Sequence, residues 1–266
     1  DGTTMAFPRE KIELLAHLIL DGTQWMTRGG ATDFGAEGRE ITRKGQSTRH
    51  LAAAARYMLQ LPTGREQEFR ALAARVAGQP QAPPLVGNRH FWRADFMAHH
   101  RPGFYASARM HSKRIASTDG PANSEGLLSH HLADGCFLLM QHGQEYRDLY
   151  GAWDWQKIPG TTVQYHPQLT GTPLRMGTTD FVGGVSDGQY GLAACDFARG
   201  SLTAKKSWFF FDQEFVFLGA EVNSDSDAPV LTTINQCRLR GDVRYRQRGV
   251  LRTAPRGDHD LEACDM

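Results

Sequence analysis

The 266-residue sequence predicts an α+β protein with segregated parts, helices first and antiparallel sheet after. Three observations carry this. Apolar residues recur at helical spacing through the first eighty or so positions. Beyond Asn88 the pattern changes to short strand-like runs separated by glycine-rich turns. Finally, Ser207-Trp208-Phe209-Phe210-Phe211 and Glu214-Phe215-Val216-Phe217-Leu218, separated by Asp212-Gln213, read as an apolar hairpin needing cover on both faces, which argues for stacked sheets.

The elements follow in order. Ile12, Leu15, Leu18, Ile19 and Trp25 make residues 8–26 an amphipathic helix with Pro8 near its first turn. Ser47 or Thr48 can cap a second helix carrying Leu51, Ala54, Ala55, Met58 and Leu59 and ended by Pro62. Thr63-Gly64-Arg65-Glu66 has capping-box spacing ahead of a third, with Phe69, Leu72, Ala73 and Val76 as its stripe. Gly78 and the Pro80, Pro83, Pro84 cluster close this part, placing a boundary between residues 1–85 and 86–266. Strands are expected at 90–96, 104–110, 190–197 and 230–234. After about Arg240 the pattern decays, and the tail past about 245 carries no usable period.

Composition narrows the function. Thirty basic and twenty-nine acidic residues give a net charge of +1, so there is no global footprint for nucleic acid or an anionic membrane surface. No run approaches the ~18 apolar residues needed to span a bilayer, and the first thirty residues lack signal-peptide order. Cys136, Cys195, Cys237 and Cys264 stand far apart, which signals free, mostly buried thiols rather than a zinc or redox motif.

Four segments could carry chemistry. In Trp153-Asp154-Trp155-Gln156-Lys157-Ile158-Pro159-Gly160-Thr161-Thr162, two indoles before a Pro-Gly turn suggest a sugar-stacking surface, against the plain alternative of buried tryptophan. Arg39 and Arg43, four apart, would share one face of a helix and could read two carboxylates of a polymer. Spacing alone favours a solvated face paired with Glu37 and Glu40. The polar loop 118–126 offers Asp119, Asn123 and Glu125, although most such loops are simply turns. His99-His100 and His130-His131 with Asp134 are histidine clusters without a full ligand set, so structural roles are expected. Asp33-Phe34-Gly35 lacks the context of a kinase motif, and no G-x-S-x-G or P-loop pattern is present.

Taken in order, these segments resemble polysaccharide lyase family 8, and within it the chondroitin AC lyase branch. The matching stretches are 33–43, His90-Phe91-Trp92 with 99–105, 152–162, 180–188 and 204–212. The resemblance implies the last helices of an incomplete α/α toroid in residues 1–85, followed by part of an antiparallel β-sandwich in 86–266. It implies a secreted or periplasmic lyase that cleaves uronic-acid polysaccharides such as chondroitin or hyaluronan by β-elimination. An anionic polysaccharide is the expected partner, with neither nucleic acid nor membrane.

The resemblance also assigns roles. Arg39 and Arg43 match active-site arginines that bind substrate and contribute to catalysis, and Asn123 matches a substrate-contacting asparagine. Asp119 or Glu125 stands for the family's catalytic glutamate. The family's histidine and tyrosine acid–base pair falls upstream of the matched stretch, so this chain is expected to be an internal piece, inactive alone. No cofactor is expected. A structural calcium of some relatives would fall near Asp154, where Gln156, Tyr165 and His166 serve a hard cation poorly, and no tight site is expected. The rival reading is a noncatalytic carbohydrate-binding sandwich with Trp92, Trp153 and Trp155 as its platform.

Overall fold

The computed structural model describes residues 6–118, 125–168, 176–261 and 264–265. Contacts group the chain into two compact units, Asp1–Gln236 and Cys237–Met266.

The first unit begins helically. α1 (Arg9–His17) runs without a break into a π-turn (Leu18–Gly22) and a 3₁₀ turn (Thr23–Met26), so the expected helix is present, with Pro8 as its N-cap. A two-rung ladder, β1 (Thr27–Arg28) with β2 (Ala31–Thr32), leads to the short α2 (Phe34–Glu37). α3 (Arg49–Met58) starts after Thr48, and α4 (Glu66–Val76) starts after Arg65. The expected capping box does not form, because the N-cap is Arg65 without a side-chain cap; Glu66 Oε1 accepts instead from the Gly64 amide and Thr63 Oγ1 from the Arg65 amide. Phe69, Leu72, Leu51, Ala55, Met58 and Leu20 bury together, which is what the stripes required. Among the described residues no helix is long and apolar enough to cross a membrane.

Two antiparallel meanders follow. The first holds β3 (Gly87–Phe91), β4 (Phe96–His100), β5 (Tyr105–Arg109) and β6 (Cys136–Met140) in sequence order. Residues 90–96 are therefore not one strand, as expected from sequence, but the hairpin joining β3 to β4, in which Phe91 pairs with Phe96. β7 (Thr162–Gln164) is a short strand of its own. The second meander holds β8 (Val182–Ser186), β9 (Gly191–Arg199), β10 (Leu202–Phe210) and β11 (Phe215–Asn223). β12 (Val230–Thr232) pairs with β7.

The meanders stack through Met97, Ala106, Ala108 and Phe137 on one side and Ala193, Phe197, Trp208 and Phe210 on the other. The first sheet is covered on both faces, which is why β4 is buried at every position. The second is covered on one face only, correcting the expectation from the hairpin. β10 alternates strictly, with Trp208 and Phe210 inward, and β11 leaves Val216 and Leu218 exposed.

The second unit also departs from the sequence reading. Residues beyond 240 form a hairpin, β13 (Val243–Gln247) with β14 (Val250–Ala254), and β15 (Cys264–Asp265) pairs with β13. Arg248 and Gly249 both take positive φ, the requirement of a two-residue turn of the mirror-image kind. The alternation was obscured because most of these side chains are exposed.

The histidines on β4 are structural, as expected. His100 Nε2 lies 3.0 Å from the Trp25 carbonyl oxygen and His99 Nε2 lies 2.8 Å from that of Phe211. Burial first, aided by neighbouring cations, lowers the His100 pKa to about 3 and that of His99 to about 4. Both therefore resist protonation when folded and accept it near 6.5 when unfolded. Stability from this source is intact above about pH 6.5 and is lost as pH falls toward 4, at about 1.4 kcal/mol per pH unit per histidine. Urea denaturation across that window is expected to show a shallower slope for His100→Gln than for wild type, and an unchanged slope would refute the assignment.

Candidate active-site loop

The arginine-bearing segment 33–46 is set by one buried acid. Asp33 caps α2, accepting from the Gly35 amide at 2.7 Å, as an Asx residue does at a helix start. Its other oxygen accepts from the Tyr105 hydroxyl at 2.6 Å and from the Ser107 hydroxyl, both on β5. The Arg109 guanidinium donates to the Gly35 carbonyl from the same strand. Burial pushes the Asp33 carboxyl up, against these hydrogen bonds and the Arg109 charge.

Hydrophobic contacts fix the rest of the loop. Phe34 meets the Trp153 ring edge-on at 4.9 Å, Trp153 meets Trp155 at 5.6 Å, and Ile41 joins the same cluster. Trp153 and Trp155 are therefore core residues behind the arginine loop, which removes them from the sugar platform considered from sequence. Trp92 alone of that trio is exposed. The Pro159-Gly160 turn closes the run. Gly160 takes φ 80°, and a Cβ there would lie 2.5 Å from the Phe137 amide nitrogen.

The helix expected to align Arg39 with Arg43 does not form. α2 gives way at Gly38 to a 3₁₀ turn (Gly38–Thr42), and Arg43 follows it with extended backbone. At three residues per turn a four-residue step is not eclipsed. The Arg39 side chain, Asp119 and Asn123 lie outside the described residues. Arg43 and Glu125, by contrast, come together across eighty-two positions. Arg43 Nε and Nη2 donate to the two oxygens of Glu125, each at 2.9 Å, and Nη1 donates to Glu40 Oε1 at 2.9 Å. The expected Glu40 pairing is thus real, but it coexists with a bidentate fork to the loop acid. Glu125 raises the pKa of Arg43 further, so the guanidinium stays charged throughout the working range.

Sequence reasoning missed Glu37 as more than a surface partner. It lines a small, open cleft with Phe34, Ile41, Arg43, Tyr146 and Tyr150. Burial raises its pKa to about 7, with Asp33 and Glu40 adding to the rise and a bond to Thr32 opposing it. A carboxyl that exchanges its proton near neutrality, in a cleft that Arg43 also lines, can act as acid or base. Spacing could not reveal this, because the shift comes from burial.

The other expected clusters are occupied by protein partners. Asp134 receives Arg199 at 2.5 Å and His131 at 2.7 Å. Burial opposes its charge, but Arg199 and His131 win and hold its carboxyl below the usual range. No group of three or more metal-ligating side chains occurs among the described residues. Near Asp154, the carboxylate faces Lys157 at 3.3 Å, and both ends of the Gln156 amide bond the His166 backbone. That donor set does not suit a cation that wants six or more oxygens.

Two outcomes follow from the loop. Asp33→Ala strands a buried amide and two hydroxyls and is expected to cost about 3 kcal/mol in urea denaturation; a loss under about 0.5 kcal/mol would show that the loop is anchored otherwise. For Glu37 the folded pKa lies above the unfolded one. Its contribution is complete below about pH 4.5 and is lost as pH rises through about 7. Glu37→Gln is accordingly expected to raise the melting temperature relative to wild type above neutrality and not in acid, and a pH-independent difference would refute the shift.

Comparisons with known proteins agree with this architecture. The profile described as "Polysaccharide lyase family 8, super-sandwich domain" matches residues 86–262. Chondroitinase-AC of Pedobacter heparinus is 36% identical over 254 residues, covering 91% of this chain and 35% of that protein. Xanthan lyase of Bacillus sp. is 34% identical over 176 residues, covering 64% of this chain and 19% of that protein. A solved chondroitinase AC lyase, from a study of its oligosaccharide complexes, superposes with a TM-score of 0.87 at 32% identity, over 97% of this chain and 38% of that one. The chondroitin AC lyase of Streptomyces coelicolor A3, in complex with chondroitin sulphate, superposes with a TM-score of 0.70 at 25% identity, over 90% and 40%. The chain thus spans about a third or less of the length of these curated relatives. With antiparallel sheets, preceding helices and sequence all matching, the chain belongs to polysaccharide lyase family 8.

Proposed function

We propose that this chain carries the arginine and carboxylate part of a lyase acting on uronic-acid glycosaminoglycans, with chondroitin as first substrate and hyaluronan as second. The observation that carries this is the Arg43 fork on Glu125, held on a loop that Asp33 fixes to the sheet. The relatives' names, chondroitinase and hyaluronate lyase, support the substrate class.

Elimination needs the uronate carboxylate neutralised so that its C5 proton becomes acidic. A base must then remove that proton, and an acid must protonate the leaving glycosidic oxygen. Electrons of the broken C5–H bond become the C4–C5 double bond as the C4–O bond breaks, and water is not a reactant. In this reading Arg39 and Arg43 meet the carboxylate, Asn123 contacts the sugar, and Asp119 or Glu125 orients the guanidinium. Glu125 fits better than Asp119, because its two oxygens already take the Arg43 fork. The helices before residue 85 act as the last of a toroid, and the acid–base pair is supplied from outside residues 1–266.

In the full-length protein, Arg39→Ala and Arg43→Ala are each expected to lower kcat by about a hundredfold with a smaller change in KM. Equal loss of binding and turnover would indicate a binding module instead. Residues 1–266 alone are expected to give no rise in the ultraviolet absorbance of the unsaturated product on chondroitin, and a rise would show that the chain holds its own acid and base.

A further inference from the structure

A second cavity lies away from the Arg43 cleft. Its walls are the end of α4 and the following loop on one side, and β1 with the ends of β4 and β6 on the other. Counted to its open mouth it encloses about 1120 Å³, and Gln24, Arg28, Arg75, Gln79, His100 and His142 are among its lining residues.

Its charge is unusual for this molecule. Several arginines that reach inward hold carboxylates: Arg65 has Asp21, Arg101 has Asp212, Arg114 has Asp95 and Arg199 has Asp134. Among the described residues, Arg28 and Arg75 pair with none. Arg28 donates to the carbonyls of Gln141, Arg101 and Pro102, and Arg75 donates to the Pro83 carbonyl and the Gln24 side-chain oxygen. A guanidinium has five N–H donors, so two remain on Arg28 and three on Arg75. Burial lowers the pKa of both; on Arg75 no carboxylate opposes this, whereas on Arg28 the charge of Glu145 does.

The neighbourhood records the resulting field. After burial itself, the charges of Arg28 and Arg75 are among the forces that keep His100 neutral. The acid that acts on Arg28 is Glu145, and one of its oxygens already accepts the Gln141 and His142 amides at 2.8 Å. Two guanidinium charges against one tethered carboxylate leave the cavity positive.

We propose that this cavity is an anion site that takes one sulfate or carboxylate group between Arg28 and Arg75. Two guanidinium groups with spare, part-buried donors suit an oxyanion better than a cation or a neutral ligand. The anion can be a free ion or a group on an acidic saccharide. Only this choice of source rests on the lyase reading above; the site itself does not.

The test is thermal melting of the chain with sodium sulfate against sodium chloride at matched ionic strength. Sulfate stabilises proteins generally, so the saturable part of the response is what counts. Wild type is expected to show saturation, and Arg75→Gln to weaken the apparent affinity about tenfold. Should Arg75→Gln fail to fold, Gln79→Glu decides. Gln79 is exposed, and a carboxylate there competes with the anion without disturbing packing. Arg43→Gln, in the other cleft, is expected to leave the sulfate response intact, whereas the lyase reading is tested by turnover of the full-length protein, so the two ideas fail separately. A second series uses a chondroitin sulfate oligosaccharide. Protection at lower concentration than inorganic sulfate that Arg75→Gln weakens and Arg43→Gln does not assigns the anion to a polymer, and protection by sulfate alone that Arg75→Gln weakens assigns it to a free ion; oligosaccharide protection that only Arg43→Gln weakens belongs to the other cleft and overturns the polymer assignment. An identical sulfate response in wild type, Arg75→Gln and Gln79→Glu would overturn it.

Discussion

The arginine-bearing loop depends on a carboxyl that never meets solvent. Asp33 joins the start of α2 to the middle of β5 through a backbone amide and two hydroxyls. A buried acid is costly unless its oxygens are satisfied, and here they are, so the same bonds that make burial tolerable also fix the loop. The position of Arg43 follows from this anchor at one end and from Ile41 in the tryptophan cluster at the other. Order reaches the exposed guanidinium from the core outward.

The first sheet makes that anchoring possible because both of its faces are buried. One packs on the second sheet through Met97, Ala106 and Ala108. The other carries Phe96, Ala98, Tyr105 and Met140 against Trp25, and Cys136 and Leu138 against Phe34 and Trp153. Between the sheets lies Lys206, a buried cation that donates to the carbonyls of Gly160 and Asp134 beneath the Phe217 and Trp208 rings. Burial lowers its pKa to about 8. It ties the Pro159-Gly160 turn to β10, so the tryptophan run that backs the arginine loop is also braced on the sandwich.

Charge is distributed by the same logic. Arg43 faces two acids in the open, where its fork gives orientation more than energy. Arg28 and Arg75 are drawn inward with only neutral acceptors. Glu37 sits between these extremes, half-buried in the cleft that Arg43 also lines and poised near neutrality. Three kinds of environment within one unit give three chemical dispositions to side chains that look alike in a sequence.

The sequence by itself determined what depends on local periodicity and turn chemistry. The helical first part, the β10–β11 hairpin and the turn at Gly160 are of this kind, because each rests on side-chain spacing within one segment. The ordered motifs also sufficed for the family. Tertiary structure decided the rest. Residues 90–96 turn because Phe91 pairs with Phe96, and the tail forms a hairpin whose exposed residues leave no alternation to read. Glu125 joins the nearer Glu40 in holding Arg43, although eighty-two residues of chain separate it from the arginine. Burial, which no spacing reports, turned Trp153 and Trp155 from a candidate sugar platform into core and gave Glu37 its altered acidity.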